Sequence, residues 1–114
     1  MTELVNFIEG ADFSKNKVAI KKLIETPITK EIQISLPKGI AMKEHCAPYP
    51  ITVMLVQGDL DFYVNDEKFH LKIGDLIYLD SKVMHSLYAI ENSIVRLSLA
   101  KADSIERVEK VMTN

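Results

Sequence analysis

The segment GIAMKEHCAPYPITVMLVQG, from Gly39 to Gly58, reads as two short strands joined by a stiff connection. His45 lies on the first strand, and residues 51–56 form an apolar run that suits the second. Between them stands Ala47-Pro48-Tyr49-Pro50, in which each proline fixes its own φ angle and lacks an amide donor. The segment therefore predicts strand, rigid turn and strand, with one histidine close to the turn.

Short apolar segments separated by turn signals continue outward from this stretch. The turn signals are Pro37–Gly39, Ala47–Pro50, Gly58-Asp59, Asn65-Asp66, Gly74-Asp75, Asp80–Lys82 and Glu91–Ser93. Residues 60–64, 69–73 and 94–99 alternate in side-chain character, as strands with two different faces do. This rhythm is typical of an all-β sandwich or barrel, and we expect residues 1–114 to form one domain.

Composition excludes several classes of protein. The chain has 114 residues, of which 47% are hydrophobic, so it can bury a core without disulfides. A net charge of −2 does not indicate a nucleic-acid surface. Cys46 is the only cysteine, which precludes an intrachain disulfide and suits a reducing compartment. No export signal or membrane-length apolar run is evident, so we expect a cytoplasmic protein without nucleic-acid or membrane partners.

One helix is expected near the C-terminal end, over about residues 103–112. Asp103 is placed to cap its first amides, with Glu106 three residues on in the capping-box position. Ile105, Val108 and Met112 then form an apolar stripe. We expect this stripe to pack over an open barrel end or a sheet edge.

The spacing of glycines and histidines resembles the two motifs of the cupin superfamily. Gly39, His45 and Gly58 match the opening glycine, first histidine and closing glycine of the first motif, and Gly74 and His85 match the second. The motifs cover residues 39–89, and the wording H-x-A-P-x-P is similar to that of small, stand-alone, cupin-2-like proteins. The resemblance implies a single-domain, jelly-roll-like β-barrel that forms a homodimer.

The sequence departs from the cupin pattern where the family binds metal. Ala47 and Ile51 stand in place of the second histidine and the glutamate, so only His45 and His85 remain of four usual ligands. In the second motif, the proline, glycine and asparagine are replaced by Asp80, Lys82 and Ala89. The resemblance implies a degenerate metal site at His45 and His85. We therefore assign no cofactor from the sequence. The alternative is a divalent transition metal, Zn, Ni, Fe or Mn, bound at low occupancy.

Strict strand alternation predicts which side chains face the barrel interior. On the strand of His45, the inward set is Ala41, Lys43, His45 and Ala47, and the outward set is Met42, Glu44 and Cys46. The predicted ligand-binding pocket consists of His45, Ala47, Tyr49, Ile51, Val53, His85 and Leu87. His70 alternates with lysines and is expected to be exposed, so it is not a third ligand.

Three functions remain open at this stage. The first is binding of a small molecule whose carbonyl or hydroxyl group forms hydrogen bonds with the two imidazoles. If the ligand needs neutral imidazoles, its binding should weaken as pH falls through the range in which histidines are protonated. The alternative, implied by the family, is a metal-dependent enzyme of the oxygenase or isomerase type with a reduced ligand set. The third is a filled scaffold or interaction protein. Catalytic residues cannot be assigned, and whether the chain is an enzyme stays open.

Overall fold

The computed structural model describes residues 2–111, which form an all-β domain with a short helix near the C-terminal end. The elements are β1 Ala19–Glu25, β2 Thr29–Leu36, β3 Ala41–His45, β4 Ile51–Gln57, β5 Leu60–Val64, β6 Glu67–Leu71, β7 Leu76–Leu79, β8 His85–Ala89, β9 Ser93–Ala100 and α1 Ile105–Glu109. The quoted segment is strand, turn and strand as predicted, with β3 and β4 on either side of the prolines.

The strands form two antiparallel sheets that share one hydrophobic core. The five-stranded sheet has the order β1-β2-β9-β4-β7, and the four-stranded sheet has the order β3-β8-β5-β6. Ile32, Leu55 and Leu99 of the first sheet and Leu60 and Phe62 of the second are fully buried in this core. The prediction of an all-β, jelly-roll-like domain is confirmed.

Strand β3 contains a bulge that overturns part of the predicted inward set. Met42 pairs with Leu87 and His45 with His85, so β3 uses three steps where β8 uses two. The extra residue rotates the strand, and both Met42 and His45 face inward. Met42 was predicted to face outward but is 2% exposed. Ala41 and Lys43 were predicted to face inward, which is wrong: Ala41 pairs with outward-facing Tyr88, and Lys43 is exposed.

The predicted helix exists but begins and ends differently. Ser104, and not Asp103, is the N-cap residue, and its Oγ accepts a hydrogen bond from the Arg107 amide at 3.3 Å. The Asp103 carboxylate is instead turned to the Arg107 guanidinium, so it cannot cap the helix. The helix ends at Glu109, and Met112 of the predicted stripe lies outside the described residues. Among residues 2–111, no helix is long and apolar enough to cross a membrane.

The N-terminal segment covers part of the outer face of the five-stranded sheet. Gln33 is 2% exposed although it lies on that face, and its Nε2 donates to the carbonyls of Phe7 and Glu9. Farther along the same sheet, Leu76 and Tyr78 of edge strand β7 remain exposed. A homodimer, expected from the sequence, stays a prediction.

Gly58, which closes the first motif, lies in a turn that no other residue fits well. Its φ angle is +105°, and an added Cβ would overlap the Asn92 carbonyl oxygen and lie 2.6 Å from Ser93 Cα. Gly74 has a similar φ of +93°, but an added Cβ there would meet nothing within 4 Å. An alanine at position 58 would therefore add both steric overlap and backbone strain, whereas an alanine at position 74 would add backbone strain alone.

We expect Gly58→Ala to lower the free energy of unfolding by about 3 kcal/mol or more, because left-handed strain and overpacking add. Gly74→Ala should cost only the strain, about 1–2 kcal/mol. Urea denaturation of both variants measures the difference. Equal losses would show that the contact with the Asn92–Ser93 backbone carries no energetic cost.

Candidate functional site

A small cavity lies between the two sheets, at the end where His45 and His85 pair across β3 and β8. Its lining is Ile34, Met42, His45, Ile51, Val53, His85, Leu87, Val95, Leu97, Arg107 and Val108. The cavity volume is about 20 Å³. This is enough for about one water molecule or one hydroxyl group, so the interior is nearly filled.

Each histidine of the cavity is fixed through Nδ1 by the backbone carbonyl of the residue two positions earlier. His45 Nδ1 lies 2.7 Å from the Lys43 carbonyl oxygen, and His85 Nδ1 lies 3.0 Å from the Val83 carbonyl oxygen. A carbonyl oxygen only accepts hydrogen bonds, so Nδ1 must carry the proton in both rings. In the neutral ring, Nε2 is then a bare acceptor. The ring centroids are 4.2 Å apart, so the two imidazoles form one site.

Burial keeps both imidazoles neutral at physiological pH. Desolvation lowers the pKa of His85 to about 4; the hydrogen bond to Val83 opposes this shift, and charge at His45 and Arg107 adds to it. Desolvation also lowers the pKa of His45, partly offset by its bond to Lys43 and assisted by Arg107. The His85 ring stacks on Phe62 at 5.5 Å between centroids, on its apolar side. The pair therefore presents neutral rings and acceptor nitrogens.

Arg107 is a polar member of the cavity lining that sequence reasoning missed. Its Nε and Nη2 donate to the Asp103 carboxylate at 2.8 and 2.9 Å, and Nη1 points to the Cys46 carbonyl at 3.5 Å. Asp103 is 3% exposed, so the carboxylate of this ion pair is buried, while the Arg107 side chain keeps 24% of its surface exposed. The spacing of four residues on a predicted helix and the position next to Val108 were the available signals. No pattern in the sequence predicted that the helix would pack beside the histidines.

Five residues of the predicted pocket line this cavity, and two do not. His45, Ile51, Val53, His85 and Leu87 are in the lining. Ala47 is buried outside the lining, where its carbonyl accepts a hydrogen bond from the Lys82 amide. Tyr49 is 41% exposed and also lies outside the lining. The role of all seven residues in ligand binding stays a prediction.

His70 lies away from this cavity and is exposed, as the alternation predicted. Its Nε2 is 3.0 Å from the Asp59 carboxylate and its Nδ1 is 3.0 Å from that of Asp61. Asp61 is 7% exposed, so one of the two carboxylates that hold the exposed His70 ring is itself buried. Because both ring nitrogens are engaged, His70 is not available to the cavity.

The donor set does not fit a tightly held metal ion. Protein metal sites of the zinc type use three or four protein ligands, and the cavity offers two imidazole nitrogens. Across residues 2–111, no group of three or more His, Cys, Asp or Glu side chains is arranged to hold a metal. The guanidinium of Arg107 lines the same cavity, and its positive charge opposes a divalent cation.

Comparison with known proteins rests on structure, because no family model matches the sequence and a search of curated proteins found no match. An RmlC-like cupin protein from Desulfovibrio desulfuricans has a TM-score of 0.77 at 14% identity, covering 89% of this chain and 98% of that one. KdgF from Halomonas sp. has a TM-score of 0.75 at 18% identity, with coverage of 94% and 98%. Salicylate 1,2-dioxygenase from Pseudoaminobacter salicylatoxidans has a TM-score of 0.71 at 17% identity, covering 89% of this chain but 31% of the other. At these identities the likeness shows the fold.

The lowered pKa of His85 predicts a loss of stability in mild acid. Between the ordinary value of 6.5 and the folded value of about 4, the unfolded chain binds a proton that the folded chain excludes. The free energy of unfolding should therefore fall over this window as pH decreases, by up to about 3 kcal/mol. His85→Asn keeps a donor for the Val83 carbonyl and should flatten the slope of the free energy of unfolding against pH, measured by urea denaturation at a series of pH values.

Ile51→Val is the control in the same lining. It should lower the free energy of unfolding by about 1 kcal/mol and leave the slope against pH unchanged. An unchanged slope in His85→Asn would refute the assignment of the pH dependence to His85.

The incomplete donor set predicts weak metal binding. Elemental analysis of protein purified without an affinity tag should show Zn, Ni, Fe and Mn far below one equivalent, because two imidazoles alone hold a cation loosely. Near-stoichiometric metal that disappears in both His45→Asn and His85→Asn would contradict this expectation.

Proposed function

We propose that this chain, a small protein with the cupin fold, binds an uncharged hydroxyl group of a small organic molecule at His45 and His85. The observation that carries the proposal is that the two imidazoles make the same hydrogen bond, from Nδ1 to a backbone carbonyl. Both use Nδ1 for their own backbone, which leaves two Nε2 acceptors in one apolar cavity. A hydroxyl hydrogen is the complementary donor.

This assignment narrows the ligand expected from the sequence. A carbonyl oxygen needs a donor, which neither neutral Nε2 supplies, and Nε and Nη2 of Arg107 in the same lining already donate to Asp103. The carbonyl version of the sequence-based hypothesis is therefore disfavoured, and the hydroxyl version is kept. Taking a hydroxyl group out of water costs free energy unless it finds a partner, and the Nε2 atoms supply that partner in an otherwise apolar lining.

The cavity size supports insertion of one group and not of a whole ligand. A volume of about 20 Å³ accommodates a hydroxyl group, while the rest of the molecule must lie outside or displace the covering side chains. Val108 of α1 is among those covering side chains and is 3% exposed. The same small volume also supports the scaffold alternative, so the experiment must separate the two.

An enzymatic use of the histidines has less support. A general base works best with a pKa near the working pH, and His85, with a pKa of about 4, is a weak base at neutral pH. The metal-dependent alternative lacks a third protein ligand among the described residues.

The experiment compares isopropanol with acetone, which have similar shapes but of which only isopropanol can donate a hydrogen bond. In NMR titrations of the amide signals, isopropanol should shift the signals of Val53 and Leu87 saturably, and acetone should shift them much less. His45→Asn and His85→Asn should each abolish the saturable shift, whereas His70→Asn, outside the cavity, should retain it. Binding should weaken as pH falls below the ordinary histidine value of 6.5, because protonation of either imidazole removes an Nε2 acceptor, and it should be lost as pH approaches the His85 value of about 4.

Two results would contradict the proposal. Equal saturable binding of acetone would show that the imidazoles do not select a donor. Absence of saturable shifts with either compound would leave the filled-scaffold function as the better description.

A further inference from the structure

We infer that the ligand of this site is a short hydroxycarboxylate, whose hydroxyl enters the cavity while its carboxylate lies in an adjoining basic groove. This inference rests on the proposed function and adds the chemical class of the ligand. It is carried by a surface groove that shares two of its wall residues with the cavity.

The basic groove, defined by its charged residues Lys43, Glu44, Arg107 and Lys110, lies at the surface beside α1 and β3. Its volume is about 520 Å³, so it is far roomier than the cavity. His45 and Arg107 line both spaces, so they form the boundary between cavity and groove. A molecule in the groove therefore lies next to the imidazole that accepts the hydroxyl.

The charges of the groove favour an anion. Three of its lining side chains are cationic and one is a carboxylate. Asp103 offsets Arg107 from the buried side, which still leaves one positive charge in excess. Within residues 2–111, neither Lys43 nor Lys110 takes part in a salt bridge. Both ammonium groups are thus available to a ligand carboxylate.

The two spaces divide the ligand by polarity. A carboxylate buried in the apolar cavity would lose its hydration without a matching charge, which costs far more than burying a hydroxyl. In the groove it stays hydrated and can accept hydrogen bonds from Lys43, Lys110 and Arg107 Nη1, whose present contact to the Cys46 carbonyl is long at 3.5 Å. Because His45 and Arg107 border both spaces, the hydroxyl and the carboxylate must be a short distance apart in the ligand.

Four small probes separate the two parts of the site. Lactate carries both groups, lactamide carries the hydroxyl without the charge, propionate carries the charge without the hydroxyl, and propionamide carries neither. NMR titration should give the order lactate first, lactamide and propionate weaker, and propionamide weakest. Raising the salt concentration should weaken lactate and propionate but not lactamide, because exposed charges are screened.

Matched variants assign each effect to its residues. Lys110→Glu should weaken lactate and propionate by about tenfold, since it replaces attraction by repulsion at the surface, and should leave lactamide nearly unchanged. Lys72→Glu changes the net charge equally and is the control. Lys72 lies away from the site. It follows Leu71, which pairs with Leu60 at one end of β5, whereas His85 pairs with Val64 at the other end. His85→Asn should weaken lactate and lactamide but not propionate.

The outcomes distinguish this inference from the function on which it rests. Equal binding of lactate and lactamide, unaffected by Lys110→Glu but lost in His85→Asn, would overturn the hydroxycarboxylate and keep the hydroxyl site. Binding of lactate that responds to Lys110→Glu but not to His85→Asn would overturn both, since the anion would then lie in the groove alone. Absence of saturable binding for all four probes would likewise overturn both.

Discussion

The pairing of His45 with His85 across β3 and β8 is the constraint on which the chemistry of this protein depends. Each ring is anchored through Nδ1 to the carbonyl of the residue two positions earlier in the chain, so the local backbone sets the ring orientation directly. The four-stranded sheet then places the His85 ring against Phe62, and both imidazoles line the cavity. Two Nε2 acceptors in an apolar space follow from backbone geometry, before any ligand is considered.

The surroundings of this pair explain why it differs from a metal centre. Apart from the two imidazoles, the lining of the cavity consists of apolar side chains and Arg107, a cation. Its bidentate pairing with buried Asp103, four residues earlier in the chain, holds the guanidinium in place and keeps a positive charge beside both rings. Burial and this charge act in the same direction, since both disfavour the imidazolium forms. The site therefore suits hydrogen bonding to neutral groups better than cation binding.

The fold of this protein does not by itself identify its function. Its structural neighbours include proteins with very different names at 14–18% identity, which is expected because one fold supports many sites. The candidate site of this chain depends on local features: a bulge in β3, an arginine on a short helix, and lysines on the adjoining surface. Functional comparison should therefore be made at these positions and not over the whole barrel.

The sequence by itself determined the all-β class, the positions of most turns, the existence of the C-terminal helix and the proximity of His45 and His85. These features depend on local signals: alternation, prolines, glycines and a motif spacing that repeats within a family. Tertiary structure alone decided that Met42 faces inward, because an extra residue in β3 can be recognised only against its partner strand. It also decided that Arg107 reaches the cavity, which requires the packing of a helix far along the chain. The histidine pKa shifts belong to the same class, because burial is a property of the assembled sheets and not of the residue.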